Sequence, residues 1–304
     1  MAKAEAAISV IIPTTVEISR KHTLIQALDS VYQQPSVKAI PLLIANGERY
    51  DPELFAALKK RQDLRFVYIR EGNLPQAIAI GRKMVDTPFF AFLDDDDCYL
   101  PNALSVRLAP ALSDPSVDAV ITTGYLSKGH TNRRLHIERI DQCQLDPLDA
   151  ITQQNWLASC GGLYRSSSVG LEYFQDLPKY REWTAVAFRL AFHQKTLCFL
   201  STPTYQINDS KTSLSKSEEY LLGGSQFIAT MLTYRLPRQG SRRLQKKYAN
   251  SLHEISDYYR LQGDLKKAWF YHLKCLTVSG GLKYWSYSRK LPWRISLQSN
   301  QASF

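Results

Sequence analysis

Residues 89–101 read FFAFLDDDDCYLP, so Asp94, Asp95, Asp96 and Asp97 follow directly on an apolar run. Carboxylates packed this closely favour protonation of one of their number unless a cation neutralises the group. A hard divalent ion such as Mg2+ takes only one or two protein carboxylates and completes its shell with water and phosphate oxygens. Four acids at the end of a strand therefore suggest a site for a metal-bound diphosphate. An extended backbone sends Asp94 and Asp96 to one side and Asp95 and Asp97 to the other, so not all four can serve the metal. A plainer reading stays open, an acidic loop whose Asp97 caps a helix starting near Pro101. An EF-hand is excluded, because the DxDxDG spacing and its distal Glu are missing.

The elements around this cluster alternate. Residues 8–12, ISVII, read as a strand stopped by Pro13, and Leu24, Ala27, Leu28 and Val31 keep helical spacing after it. Apolar runs recur at 40–45 and 65–69 with a helical pattern between them. PQAIAIGRKMV, after Asn73, reads as a helix, and 87–93 as a strand buried on both faces, because its apolar run is continuous. A helix past Pro101 and a strand over 117–126 follow. Residues 128–155 are polar and take no assignment; 156–164 read as a short strand or strand edge, 181–195 as a helix and 197–207 as extended chain. This is an α/β pattern with a mostly parallel sheet sandwiched by helices. In such sheets ligands gather at the carboxyl ends of the strands, where Pro13-Thr14-Thr15, Asn46-Gly47-Glu48 and the aspartates all fall.

From about Ser215 long helical patterns with basic residues replace the alternation, which gives an expected division into 1–215 and 216–304. Within the second part, 251–276 reads as two helices joined around Gly263-Asp264, similar to a single tetratricopeptide-like hairpin. One copy makes no array, so it serves as a packing appendage or a partner platform. The formal charge of +10 suits a polyanionic partner, and its excess concentrates in 235–247 and 283–294. No nucleic-acid motif accompanies it, so nucleic acid is not expected; the remaining readings are a solvated face and peripheral contact with an anionic membrane. Five cysteines, odd in number and without CxxC spacing, suggest neither a disulfide framework nor zinc. No apolar run reaches the length of a membrane span, and the first residues lack a signal-peptide pattern. The expected location is the cytoplasm, peripheral to the inner face of the membrane.

The succession ISVIIPTT, LLIANGE, EGNLPQAIAIG and TPFFAFLDDDD resembles the family 2 glycosyltransferases of the GT-A fold, over residues 8 to about 215 and most closely at 8–15 and 87–101. A haloacid-dehalogenase-type motif also starts DxD after an apolar strand, but at a chain's first strand and with Thr or Val where Cys98 stands. The glycosyltransferase resemblance implies transfer of a sugar from a nucleotide-sugar donor, by default a UDP-sugar, to an acceptor hydroxyl of a glycan or glycolipid, with inversion and with Mn2+ or Mg2+. It places Pro13, Thr14, Thr15, Asn46, Gly47, Asn73, Asp94 and Asp95 around the donor, with Asp94 toward the ribose. Asp96, Asp97 and Asn208 fall at metal positions. Trp156, Gly161, Gly162 and Trp183 face the acceptor. Ala45-Asn46 and Ile78-Ala79 depart from the family pattern for donor recognition. Glu182 takes the base's place if Trp183 matches the family Trp; an ungapped match from Arg189-Leu190 puts Trp183 there instead, and a non-catalytic nucleotide-sugar-binding or scaffold protein is the alternative.

Overall fold

The computed structural model describes residues 7–128, 131–208 and 217–291. The chain forms two compact units, 1–213 and 214–304.

In the first unit, β1 (Ala7–Thr14) is buried along almost its whole length. A 3-10 turn over Ile18–Arg20 leads into α1 (Lys21–Tyr32), which buries Leu24, Ala27, Leu28 and Val31 at helical spacing. β2 (Lys38–Asn46) is followed by α2 (Pro52–Lys59), where Asp51 accepts from Leu54 N–H at 2.8 Å and Pro52 sits at the first helical position, needing no donor there. β3 (Arg65–Ile69) precedes α3 (Leu74–Lys83), and β4 (Phe89–Phe92) is buried at every position. The chain continues through β5 (Cys98–Tyr99), α4 (Ala103–Ser113), β6 (Ala119–Lys128), β7 (Thr131–Leu135), α5 (Ile140–Leu145), α6 (Pro147–Gln153), β8 (Gly162–Arg165), α7 (Glu182–Phe192) and β9 (Leu197–Asn208).

The unassigned 128–155 stretch thus holds β7 and two short helices. Asp146 accepts from Asp149 N–H at 2.8 Å and Pro147 starts α6, a cap signal that was present in the sequence but too brief to show periodicity. The sheet order is β3-β2-β1-β4-β8-β6-β9-β5, with β7 paired to β6. β3, β2, β1 and β4 are mutually parallel, β8 runs antiparallel between β4 and β6, and β9 returns parallel to β6.

The second unit contains α8 (Glu218–Met231), α9 (Arg238–Leu261), α10 (Leu265–Leu276) and a 3-10 segment over Leu282–Lys290. Gly263, at φ 80°, makes the turn between α9 and α10, and Ile255, Tyr259, Ala268, Tyr287 and Leu291 form a small core. Among the described residues no helix is long and apolar enough to cross a membrane.

Arg107 of α4 fixes β9 against β8. Its side chain is fully buried, donates to Thr204 Oγ1 at 2.6 and 3.0 Å and to Gly162 O at 3.4 Å, and lies over the Tyr99 ring at 4.8 Å. Arg107→Met keeps the volume and removes the donors, and is expected to cost about 2–3 kcal/mol; urea unfolding is expected to show a lower midpoint.

Candidate active site

β1 and β4 lie side by side with Ile11 opposite Phe92, and Leu93 N–H extends the pairing to Ile11 O at 3.0 Å. The strand order reverses here, since β2 and β3 lie on one side of β1 and β4 on the other. A switch point of this kind leaves a crevice beyond the carboxyl ends of the strands. The loops after Thr14 and Phe92 both open into it.

The four aspartates do not continue as extended chain. Asp97 N–H donates to Asp94 O at 3.1 Å and closes a tight turn, which replaces the expected two-sided alternation. The carboxylates then meet different sets of partners, with Arg20 shared by two of them. Asp95, 3% exposed, accepts from Thr14 Oγ1 at 2.6 Å and from Arg20 Nη1. Asp97, equally buried, accepts from Asn208 N–H at 3.0 Å and from the Cys160 thiol at 3.6 Å. Asp94 lies beside the Ser159 hydroxyl, which lowers its proton affinity, and within electrostatic range of Glu182. Asp96 keeps 31% of its side chain exposed, with Arg20 Nη1 at 3.4 Å. Asp97 caps no helix, because its oxygens are taken and α4 begins after Asn102 without a side-chain cap.

Crowding of acids in a partly buried turn raises their proton affinity. Burial pushes the Asp94 carboxyl up to about 7 against the Ser159 hydrogen bond, and neighbouring carboxylates add to it. Burial and the charges of Asp94 and Asp96 lift Asp97 to about 8. Burial also raises Asp95, although the Arg20 charge and the Thr14 hydroxyl pull the other way. For Arg20, burial lowers proton affinity, but Asp95 and Asp96 together hold it above its ordinary value.

On the donor side, the expected residues divide. Pro13 is an interior residue of β1, paired with Ile44 and buried, so it lines the sheet and not the crevice. The Thr14 hydroxyl is committed to Asp95 and also accepts from Val16 N–H at 3.0 Å. Thr15 Oγ1 is buried without a hydrogen-bond partner, an orphan of the kind a ligand completes. Val16, fully buried and β-branched, stands at φ 55°, where a side chain of that shape is strained by about 1–3 kcal/mol. Asn46 donates to Thr14 O at 3.0 Å. Gly47 turns the chain at φ 92°, a conformation that glycine adopts without penalty, and packs against Gly72. Asn73 caps α3, accepting from Gln76 N–H at 3.2 Å. Gln76, in that first turn, keeps a buried Oε1 without a partner.

On the other side, Glu182 opens α7 at 7% exposure and accepts from Tyr180 N–H at 3.0 Å. Burial raises its proton affinity, opposed by backbone hydrogen bonds and by Lys179 and Arg181. Trp183 stands edge-on to Phe92 at 4.9 Å, which brings the start of α7 to the strand that carries the aspartates. Trp156 is 3% exposed, donates to Pro147 O at 3.2 Å and packs on Phe199, so no ring face is open to a sugar. Gly161 and Gly162 are buried as well. A Cβ on Gly162 would overlap the Tyr164 hydroxyl, and one on Gly161 would meet the Tyr205 ring at 3.2 Å; the close approach they permit is to protein aromatics. Asn208, expected as a metal ligand, donates from Nδ2 to Asp96 O at 2.5 Å and accepts from Gln206, and so braces the turn. The run 209–216, with Lys211 and Lys216, lies outside the described residues. Sequence reading missed Arg20 and Gln76, and it put Ser159 and Cys160 in the acceptor-facing run with Gly161 and Gly162, where the structure sets them beside Asp94 and Asp97. The available signal for Arg20 was its place in the loop after the first strand, beside the crevice.

An α/β sheet with its acid turn at the switch point defines a nucleotide-binding transferase architecture of the GT-A type. A family model described as Glycosyl transferase family 2 matches residues 9–172, and the chain belongs to that family; it is a glycosyltransferase. Glu182, Trp183 and Asn208 lie beyond the matched stretch. No curated protein matches the sequence. Among solved structures, S. aureus TarS 1-349 in complex with UDP-GlcNAc is similar at TM-score 0.58 and 14% identity, covering 95% of this chain and 93% of that one. Mannosyltransferase PcManGT from Pyrobaculum calidifontis, in complex with GDP-Man and Mn2+, is similar at TM-score 0.56 and 12% identity, covering 95% and 82%.

Acids whose native pKa lies above the unfolded value hold their protons more tightly when folded, so the stability tied to them is full below about pH 4 and is lost as pH rises through 7 to 8. Asp97→Asn removes one of the crowded charges. Its unfolding midpoint is expected to exceed wild type at pH 8 and to approach it below about pH 4; equal midpoints at pH 8 contradict the crowding. Arg20→Met removes the counter-charge of Asp95. Allowing for the exposure of Arg20, the expected cost is about 1–2 kcal/mol by urea unfolding, with Arg20→Lys recovering part of it.

Proposed function

We propose that this glycosyltransferase moves a sugar from a nucleotide-sugar donor, a UDP-sugar by default, to a hydroxyl of a glycan or glycolipid acceptor, with inversion. The observation that carries the reading is the partly buried acid turn, which holds more negative charge than Arg20 balances and lies within electrostatic range of a buried glutamate. Among the described residues no group of three or more His, Cys, Asp or Glu is placed to enclose a metal ion; a Mg2+ or Mn2+ bound largely through phosphate needs only one or two carboxylates. The raised proton affinities of Asp94 and Asp97 fit such a cation, because crowded carboxylates bind a proton or a metal for the same electrostatic reason. Asp96, the most open of the four, would hold it with Asp94 or Asp97. A bound divalent ion supplies neutralisation of the charge that develops on the departing nucleoside diphosphate.

The protein's own groups do the rest. Glu182 takes the proton from the acceptor hydroxyl, and its burial gives it more basicity than an exposed glutamate has. Thr15 Oγ1 and Gln76 Oε1 hold unspent hydrogen-bonding capacity for the nucleoside or ribose. Asn46 and Gly47 shape that side of the crevice, with Asn73 behind them. Trp183 offers a partly exposed face beside the base. The UDP-GlcNAc of the TarS structure and the GDP-Man and Mn2+ of the mannosyltransferase structure support donor and metal classes, and they leave the base of the nucleotide to experiment. Contact with an anionic membrane on its cytoplasmic face, through the basic second unit, completes the reading.

A thermal-shift screen of UDP and GDP with and without Mn2+ tests donor and metal together; a rise that needs both nucleotide and Mn2+ is expected. With the donor so identified, Asp96→Ala and Glu182→Gln are each expected to lower turnover about 100-fold or more while the fold is retained. Full activity of Asp96→Ala would sink the metal assignment, and full activity of Glu182→Gln would remove the base. Nucleotide binding without turnover in the wild type would favour the non-catalytic alternative.

A further inference from the structure

The last 40 residues of the sequence, from Leu265 onward, contain seven Lys or Arg and no Asp or Glu. On α10 the inner face buries Ala268, His272 and Cys275, while Phe270 and Leu273 are 60% and 55% exposed, with Lys266 and Lys274 on the same side by helical spacing. The 3-10 segment packs Tyr287 inward, where His272 Nε2 also bonds Ser288 Oγ at 2.8 Å. Its Leu282 and Trp285 are each 69% exposed, beside Lys283. Both elements have filled inner faces, so packing within the unit does not account for the large apolar side chains turned outward. A single exposed leucine is ordinary. Four large apolar side chains exposed within 16 positions, with Lys274 and Lys283 beside them and no acid in the interval, are not.

We propose that these exposed apolar side chains, Phe270 and Leu273 on α10 and Leu282 and Trp285 on the 3-10 segment, together with Lys274 and Lys283, dock on an anionic lipid bilayer, the apolar side chains entering the interface and the lysines meeting headgroup phosphates. Membrane interfaces favour this combination. Tryptophan and phenylalanine sit at headgroup depth, and lysine stems lie along apolar surface while their ammonium groups reach the anionic layer. A nucleic acid would satisfy the lysines and leave leucines exposed. A second copy of the same surface would bring Lys274 and Lys283 against their own counterparts, like charge against like. The proposal deepens the peripheral contact proposed above by assigning it to exposed apolar side chains, where the charge of 235–247 and 283–294 had suggested it. It uses the second unit only and does not depend on the transfer reaction.

The test is flotation of the full chain with phosphatidylcholine vesicles, with and without about a quarter phosphatidylglycerol. Wild type is expected to float with the anionic vesicles, and the double variant Phe270→Ser, Trp285→Ser to bind at least about tenfold less with an unchanged unfolding midpoint. Trp285→Phe is expected to float and to lose a vesicle-induced blue shift of fluorescence that wild type shows. Flotation of wild type with unaltered binding by the double variant overturns the role of the apolar side chains and keeps a charge-based contact. Failure of wild type to float overturns both. A concentration-dependent mass increase abolished by the double variant, or salt-sensitive DNA binding with no flotation, assigns the surface to a second copy or to nucleic acid and overturns the lipid proposal.

Discussion

Four carboxylates in one turn at the end of a buried strand repel one another, and in a partly buried setting that repulsion is weakly screened. The chain meets this constraint by giving the acids partners on several sides. Thr14 and Arg20 take Asp95, Asn208 and Cys160 take Asp97, Ser159 lies beside Asp94, and Asp96 stays partly open with Arg20 nearby. These partners come from the loop after β1, the end of β9 and the segment before β8. The sheet order that sets β4 between β1 and β8 is therefore also what makes the acid turn possible.

The same division explains why the site is both rigid and incomplete. Asp95 ties the β1 loop to the β4 loop, and Val16 is held in a strained conformation within that loop, its carbonyl accepting from Asp51 N–H at 2.9 Å. Asn208 fixes the far side of the turn through both its backbone and its side chain. Against this frame, the groups with unspent capacity stand out: Thr15 Oγ1, Gln76 Oε1 and the open part of Asp96. A preorganised frame of this sort lowers the reorganisation needed when charge develops on a ligand.

Much of the sheet was legible because continuous apolar runs such as 8–12 and 40–45 mark buried strands whatever their neighbours. The aspartate cluster was legible for the same reason, as polarity placed where a buried strand stops. Its geometry was not, since one backbone hydrogen bond from Asp97 to Asp94 turns an extended segment into a turn. Trp156 and the Gly161-Gly162 pair looked suited to a sugar, yet sequence carries no sign of which partner a ring or a bare backbone faces; here the partners are Phe199, Tyr205 and Tyr164. The pairing of Arg20 with Asp95 was not legible, because it spans 75 residues and follows no local period; only the place of Arg20 in the loop after the first strand was. The short helices of 128–155 depend on caps and tertiary contacts more than on amphipathic spacing.

Cys160 has a consequence for the chemistry that the site can withstand. Its thiol is fully buried and donates toward Asp97, and burial together with the charges of Asp97 and Asp94 pushes its pKa far up. The thiolate is the form that alkylating agents and peroxide attack. A sulfur beside the acid cluster is thereby kept unreactive by burial first and by the neighbouring acids second, and thiol chemistry in this unit falls first to the more open Cys98 and Cys198.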